Sequence, residues 1–281
     1  MSNLAPDRLD PVVENARVTE SLSEAAATKR SGPWRTRRGS LGLKLAPLGI
    51  LALAGALFLY YQSLHLDADR NIQQASALSW SDKLLPQLRD HLIISFWSTV
   101  LVVLVAVPLG ILLTRQGTRK VGPAVLAVAN SGQALPAYGL LVIFLAFMGQ
   151  GLVTVVVALT VYAILPVLRN TMVGLDGVDR SVIEAGRGMG MTKAGVLAKI
   201  ELPLAVPVIL AGVRTAMIIN IGMATLAFLI GGGGLGITIS SGLKLQQDSV
   251  LIVGSVLVAI VALSFDWLGA VAERYLRPRG V

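Results

Sequence analysis

The sequence has no cysteine and only two histidines. Without thiols, disulfides, thiolate metal sites and cysteine nucleophiles are excluded. His65 and His91 lie far apart without partners at metal-ligand spacing, so we predict no metal site and expect both in a loop or at a membrane interface. The pattern G-x-x-x-x-G-K-S/T is also missing, so the chain should not bind ATP through a P-loop. We predict no catalytic residues and no cofactor.

Charge is scarce as well. Charged residues make up 14% of the chain and hydrophobic residues 54%, whereas about a quarter of a soluble domain is charged. Several uncharged runs approach the length of about 20 residues that crosses a bilayer as a helix. We therefore predict an all-α polytopic membrane protein of about six transmembrane helices. The predicted spans are 45–62, 92–114, 121–148, 152–168, 207–230 and 249–272.

Basic residues give the chain a formal net charge of +8, and they cluster at the ends of the apolar runs. Membrane topology and contact with anionic lipid account for this placement, so we predict no nucleic-acid partner. The basic clusters fall in the N-terminal tail, after the second span, after the fourth span and at the C-terminus. The positive-inside rule places these segments and both termini in the cytoplasm, which requires an even number of spans.

The first forty residues are polar and lack apolar periodicity. We predict a disordered basic cytoplasmic tail over 1–40 and a transmembrane domain over 41–281. The first apolar run begins too far into the chain for a cleaved signal peptide, so we expect it to remain as a membrane anchor.

Four polar residues fall inside predicted spans, where such groups usually face a partner or a cavity. They are Asn130, Gln133, Arg214 and Asn220. Glycine and proline interrupt the third span near Gln133, and Asn130, Gln133 and Asn220 are candidates for a translocation path. Two interpretations stay open: a pore-lining or gating segment, or a kink with hydrogen bonds between packed helices. Arg214 either faces a cavity or extends to the interface.

The glycine-rich segment 231–236 matches G-x-G-x-x-G. A dinucleotide site needs a strand before this motif and a helix after it, within a βαβ unit. Here it follows a predicted span on the outer side, so we predict a turn or close backbone packing.

The segment after the fourth span has two short amphipathic helices by its pattern. Ser181 and Glu184 predict a capping box at the start of the first helix. Gly190 allows a bend, and Thr192 caps the second helix, which we expect to end before Pro203. Such a helix docks on lipid, on its own bundle or in a partner's groove, and the pattern does not choose among these.

The spacing of residues in this segment resembles the EAA signature of ABC importer permeases, E-A-A, three residues, G, nine residues, I-x-L-P. The matching positions are Glu184, Ala185, Gly186, Gly190, Ile200, Leu202 and Pro203. Gly186 departs from the signature, because it replaces the second alanine. Glycine lowers helix propensity by about 1 kcal/mol but keeps a small surface.

The resemblance implies a type I importer transmembrane domain in the bacterial inner membrane, with 179–203 as the segment that couples to the ATPase. The seven matching residues would form that contact. The implied partners are ABC ATPase subunits, a separate extracytoplasmic solute-binding protein, and a second permease subunit in a homo- or heterodimer. The chain itself would be a transport subunit rather than an enzyme, because a partner hydrolyses ATP.

Segments 165–171, 184–192, 214–216, 231–236 and 266–278 resemble the osmoprotectant branch, which imports glycine betaine, choline and carnitine. A permease for an amino acid or another organic solute is the alternative, because the coupling motif is shared. An ion-coupled secondary transporter fits less well, because Asp266 alone does not form an intramembrane acid chain. Aromatic residues make up only 5% of the chain, so we expect an aromatic cage for the solute in the binding protein.

Overall fold

The computed structural model describes residues 37–64, 66 and 72–276, and these form helices and turns without a strand. Backbone contacts divide the chain into two units, 1–45 and 46–281. Of the first unit, the described part is the beginning of one helix. Most of the predicted tail over 1–40 and the residue His65 lie outside the described residues.

Eleven α-helices are numbered here in chain order over the described residues. They are α1 (Arg37–Ser63), α2 (Ile72–Ala77), α3 (Leu85–Leu113), α4 (Gly122–Ala134), α5 (Ala137–Met148), α6 (Leu152–Asp176), α7 (Arg180–Gly188), α8 (Lys193–Val196), α9 (Leu202–Met223), α10 (Gly236–Lys244) and α11 (Asp248–Leu276). Short π-helical turns precede α3 (Trp80–Leu84) and α9 (Leu197–Glu201), and a 3₁₀ segment follows α9 (Ala224–Ile230).

Five helical stretches among the described residues are long and apolar enough to cross a membrane. They are Gly42–Ser63, Trp80–Leu113, Leu152–Asp176, Lys193–Ile230 and Asp248–Leu276. The predicted third span is instead a pair of helices that bend by 100° between Ala134 and Ala137, and it becomes a sixth span if the pair crosses as one. Pro136 causes the break, because the residue before a proline is pushed out of the helical region, and Leu135 is extended.

The fifth span begins earlier than we expected. The helix that starts at Lys193 does not end before Pro203 but runs into α9 and on to Ile230. A π-helical turn, Leu197–Glu201, lies immediately before α9, and this proline occupies the first turn of α9. A proline is tolerated there, and the wider turn relieves the clash of its ring with the preceding carbonyls. The prediction of a helix end was therefore wrong.

The centre of the second unit is α6, which packs against both α3 and α9. Glycines allow the close approach that helices in a membrane need for packing. A β-carbon on Gly110 would lie 2.7 Å from the Cβ atom of Thr171, and one on Gly212 would lie 2.8 Å from the carbonyl oxygen of Pro166. Substitution at either glycine would therefore separate two helices of the core.

Polar contacts identify the two ends of this bundle. At one end, Arg115 pairs with Glu201 and Arg119 pairs with Asp176. The basic loop after the second span therefore lies at the same end as the 179–203 segment, in agreement with the charge pattern. At the other end, the N–H of Gly151 donates to the carbonyl of Ile230 over 3.0 Å.

Candidate functional site

The first helix of the 179–203 segment begins at Arg180, one residue before the predicted capping residue. Asp179 is the N-cap, and its carboxylate accepts a hydrogen bond from the N–H of Ser181 over 2.9 Å. This bond favours the charged form and lowers the pKa of Asp179. The predicted capping box of Ser181 and Glu184 is therefore wrong, because Glu184 lies beyond the third helical position from which its side chain would reach back.

Gly190 ends the first helix in a Schellman motif. The N–H of Gly190 donates to the carbonyl of Arg187 over 2.9 Å, and the N–H of Met191 donates to the carbonyl of Gly186 over 3.2 Å. This pattern needs a left-handed residue, and Gly190 has a φ of +85°. A β-carbon at this position would meet no neighbour within 4 Å, so space does not require a glycine. The left-handed backbone does require it, because a residue with a side chain would be strained there.

The second helix has the predicted cap. The hydroxyl of Thr192 accepts a hydrogen bond from the N–H of Gly195 over 3.1 Å, and helix α8 follows directly. A turn of four residues, 189–192, thus connects α7 to α8, and the two helices are in contact.

Gly186 is the contact point between these helices. It is buried, and a β-carbon built on it would lie 2.5 Å from the Cδ1 atom of Ile200 and 3.6 Å from a methyl group of Val196. The departure from the signature therefore lies where the first helix touches the second. The missing methyl group lets the isoleucine of the I-x-L-P motif pack directly on the backbone of α7.

The remaining signature residues divide between surface and bundle. Glu184 and Ala185 are exposed on α7, next to Met189, whose side chain is 77% exposed. Leu202 is half-buried and packs on the cluster of Leu175, Ala205 and Ile209, while Pro203 is exposed. The exposed part of α7 is therefore one surface of this segment that is open to another protein.

Glu201, the unspecified position of I-x-L-P, was not among the predicted site residues. Its side chain is only 6% exposed, and its Oε2 atom lies 2.5 Å from Nη2 of Arg115. Two facts in the sequence point to it: an acid falls on the same helix face as the apolar residues Ala205 and Ile209, and a basic loop lies between the second and third predicted spans. Their contact joins residues 86 positions apart, which no local pattern reveals.

Gln133 is one of the path candidates, and it faces a groove with a cavity volume of about 390 Å³. The other residues lining it are Tyr162, Ile218, Ile219, Gly222 and Met223. The amide of Gln133 donates to the carbonyl of Tyr162 over 3.1 Å. Asn130 lies one turn earlier on α4 and is exposed, but it is not among the residues that line this groove.

Asn220 occupies a different environment. It is fully buried, and its Nδ2 atom lies 3.1 Å from the hydroxyl of Thr99. With the amide turned over, Asn220 donates to the carbonyl of Leu159 and accepts from Ser98 and Thr99. In both orientations the side chain bonds within the bundle of α3, α6 and α9. Helix packing, the alternative left open by the sequence, therefore describes Asn220.

Arg214 pairs with Asp266 of α11. Nε of Arg214 lies 2.5 Å from Oδ1 of Asp266, and Nη2 lies 2.8 Å from Oδ2. The aliphatic part of the arginine passes over Gly269, whose β-carbon would lie 3.2 Å from it. Glu273 adds a second acid 3.9 Å away. The pair links two helices in the membrane, and sequence spacing did not reveal it.

The glycine-rich segment after α9 forms a packed loop. A β-carbon on Gly232 would lie 2.6 Å from Cγ2 of Val155, and one on Gly236 would overlap the carbonyl of Thr225. Close backbone packing is thus confirmed.

His91 lies against the same loop. A β-carbon on Gly234 would lie 3.4 Å from Nδ1 of His91. His91 is fully buried inside α3, beneath this loop, so the prediction that it lies in a loop was wrong.

Comparison with known proteins gives the family. The family of binding-protein-dependent transport system inner membrane components matches residues 106–278. The choline transport system permease protein OpuBB of Bacillus subtilis (strain 168) is 47% identical over 199 residues, 71% of this chain and 91% of that protein. The glycine betaine/carnitine/choline permease OpuCB of the same organism is 45% identical over the same shares. The carnitine transport permease protein OpuCB of Listeria monocytogenes is 41% identical over 70% of this chain and 90% of that protein.

Solved structures agree on the architecture. The inward-facing MetNI methionine ABC transporter is 26% identical with a TM-score of 0.62, over 69% of this chain and 96% of that chain. An amino acid ABC transporter with histidines shares the fold at 19% identity and a TM-score of 0.59, over 71% and 97%. The type I importer fold predicted from the signature is therefore confirmed. The chain belongs to the family of binding-protein-dependent transport system inner membrane components, as a multi-pass permease subunit of an ABC importer that works with an ATPase and is not itself an enzyme.

Proposed function

We propose that the chain forms the translocation path of an importer for quaternary ammonium osmoprotectants such as glycine betaine, choline and carnitine. The observation that supports this substrate class is the identity of 41 to 47% to permeases for these solutes, over about nine-tenths of their lengths. A separate extracytoplasmic binding protein delivers the solute, and a second permease subunit completes the path. Both termini lie in the cytoplasm, with the chain in the bacterial inner membrane.

Coupling to the ATPase runs through the 179–203 segment. Glu184 and Ala185, with the neighbouring Met189, form the exposed surface that enters a groove on the ATPase. Gly190 sets the turn behind this surface, and the contact of Gly186 with Ile200 passes its displacement to the helix that continues into α9. Leu202 and Pro203 join the segment to the bundle. When ATP closes the ATPase dimer, α7 and the attached spans move together.

The solute passes along the groove that contains Gln133. Tyr162 offers an aromatic ring and Gln133 an amide, and both groups suit a methylated ammonium without binding it tightly. Asn130 lies on the approach to this groove. Asn220 is enclosed by the bundle, so its proposed role is to support the wall of the path rather than to contact the solute.

Uptake in whole cells tests the substrate class. Labelled glycine betaine and choline are supplied to cells with and without the gene under osmotic stress, with labelled methionine as the comparison solute. We expect uptake of one or both quaternary amines to depend on the gene. Gene-dependent uptake of methionine alone would favour the alternative, an amino acid permease, since the structural neighbour at 26% identity belongs to a methionine transporter.

A further inference from the structure

Glu201 occupies a position where an apolar residue would normally stand. Glu201, Ala205 and Ile209 are spaced by four residues, and all three are buried on the side of the helix that faces the bundle. A carboxylate on such a face requires a partner, because an unpaired charge in a low-dielectric interior is strongly unfavourable. Arg115 is that partner, at 2.5 Å.

Arg115 is itself fixed to the end of α3. Its Nε atom donates to the carbonyl of Ile111 over 3.2 Å, a carbonyl in the last turn of that helix that also accepts from Thr114. A guanidinium has donors to spare, so Arg115 bonds its own helix end and the carboxylate of Glu201 at the same time. The pair therefore joins the end of α3 to the start of α9.

The residue next to Glu201 faces the other way. Ile200 contacts Gly186 of α7, while Glu201 contacts Arg115. Two consecutive residues thus connect the exposed helix of the 179–203 segment, through one short turn, to the end of α3. That turn is π-helical, and its extra residue sets which side chain faces α7 and which faces the bundle.

We propose that the ion pair of Glu201 and Arg115 is a positioning pair that makes the 179–203 segment and the cytoplasmic end of α3 move as one body. This inference rests on the proposed coupling role of the segment. Without the pair, α7 still follows the ATPase, but its displacement is no longer passed to α3, so ATP is hydrolysed with less solute transported.

The first test uses the assembled transporter, reconstituted in liposomes with its ATPase and binding protein. Glu201→Gln keeps the shape of the side chain and removes its charge. We expect normal co-purification with the ATPase, retained ATP hydrolysis, and about a tenfold fall in solute transported per ATP. An unchanged ratio, or a parallel fall of transport and assembly, would overturn the proposal.

A neighbouring ion pair provides a matched control. Arg119 and Asp176 lie at the same end of the bundle, 3.4 Å apart, and their side chains are 57% and 43% exposed. Because exposed pairs contribute little, Asp176→Asn should leave the transport ratio at the wild-type value. Exchange of the proposed pair, as Arg115→Glu with Glu201→Arg, should transport more per ATP than either single variant; a double variant no better than the singles would count against it.

A distance measurement separates this proposal from the choice of solute. Because the chain has no cysteine, Gln116→Cys and Ala194→Cys place spin labels at two exposed sites, one after α3 and one in α8. In the assembled complex the distance between these labels should stay the same with and without trapped ATP. With Glu201→Gln added, the distance should change between the two states. If it stays constant, the pair is not needed for joint movement, whichever solute is carried.

Discussion

The Cδ1 atom of Ile200 lies 2.5 Å from the position that a β-carbon on Gly186 would occupy. A real β-carbon does not approach a neighbour that closely, so an alanine there requires the isoleucine to turn or α7 to move away. The second alanine of the E-A-A signature is thus replaced by glycine at the point where the first helix of the segment rests on the I-x-L-P motif. The small size of Gly186 thus matches the large side chain of Ile200 that packs on it.

Gly186→Ala should therefore reduce transport, although it raises helix propensity by about 1 kcal/mol. The reduction should be modest, because the atom it meets is the end of a flexible side chain. Ile200→Val removes the Cδ1 atom, so the double variant should recover wild-type uptake. The uptake of the single and the double variant is measured in cells that express equal amounts of protein. Lower uptake by the double variant than by Gly186→Ala would contradict the explanation.

Gly190→Ala should weaken coupling through backbone strain. A residue with a β-carbon at φ +85° costs about 1 to 2 kcal/mol in the left-handed region. Gly190→Asn should be milder, since asparagine tolerates this conformation better. Co-purification with the ATPase and uptake are the measurements.

Gly188 is the matched control for that series. It lies two residues earlier, its φ is negative, and a β-carbon on it would meet no neighbour. Gly188→Ala should therefore keep wild-type coupling. Equal effects at Gly188 and Gly190 would show that flexibility of the segment, rather than the left-handed turn, is what matters.

Asn220→Leu should lower the stability of the protein, whereas Gln133→Leu should lower uptake. Asn220 bonds inside the bundle, so its replacement should lower the free energy of unfolding by about 1 kcal/mol while leaving transport by the inserted protein intact. Gln133 faces the groove, so its replacement should lower uptake with little loss of stability. Thermal unfolding in detergent and uptake per inserted molecule separate the two. Lost transport with unchanged stability in Asn220→Leu would return that residue to the path.

Asp266→Asn should destabilise the chain because it leaves the Arg214 guanidinium without its bidentate partner. About a third of each side chain is exposed, so we expect a loss of about 1 to 3 kcal/mol, below that of a fully enclosed pair. Replacing both residues by leucine removes the orphan charge and should recover most of the stability. Melting temperature and the inserted fraction report the effect. A double variant less stable than Asp266→Asn would show that the ion pair itself stabilises the protein.

The sequence predicts the spans well, because a helix that crosses a bilayer needs a long uncharged run whatever its neighbours are. The bend at Pro136 and the glycine at 190 are equally local, since each follows from one residue's backbone limits. The signature spacing identifies the coupling segment for the same reason: its turn, cap and glycines are set within a few residues.

Features that depend on distant partners were not predicted. The pairs of Glu201 with Arg115 and of Arg214 with Asp266 join residues 86 and 52 positions apart. The helix through Pro203 was missed because a rule about the residue before proline ignores the π-helical turn that accommodates it. Asn220 and Gln133 look alike in the sequence, and only packing separates an enclosed amide from one that faces a groove.

The continuous helical stretch from Lys193 to Ile230, which includes a π-helical turn and a final 3₁₀ segment, has a mechanical consequence. Its 38 residues correspond to about 57 Å of length, and Gly212, which packs against the backbone of α6 at Pro166, lies near the middle. The contact at Gly212 is therefore the point about which this helical stretch would tilt. A tilt of about 10° would move each end by about 5 Å in opposite directions, so a push on the 179–203 segment would displace the glycine-rich loop at the other end. A single tilt of this stretch would thus narrow one end of a pathway while it widens the other.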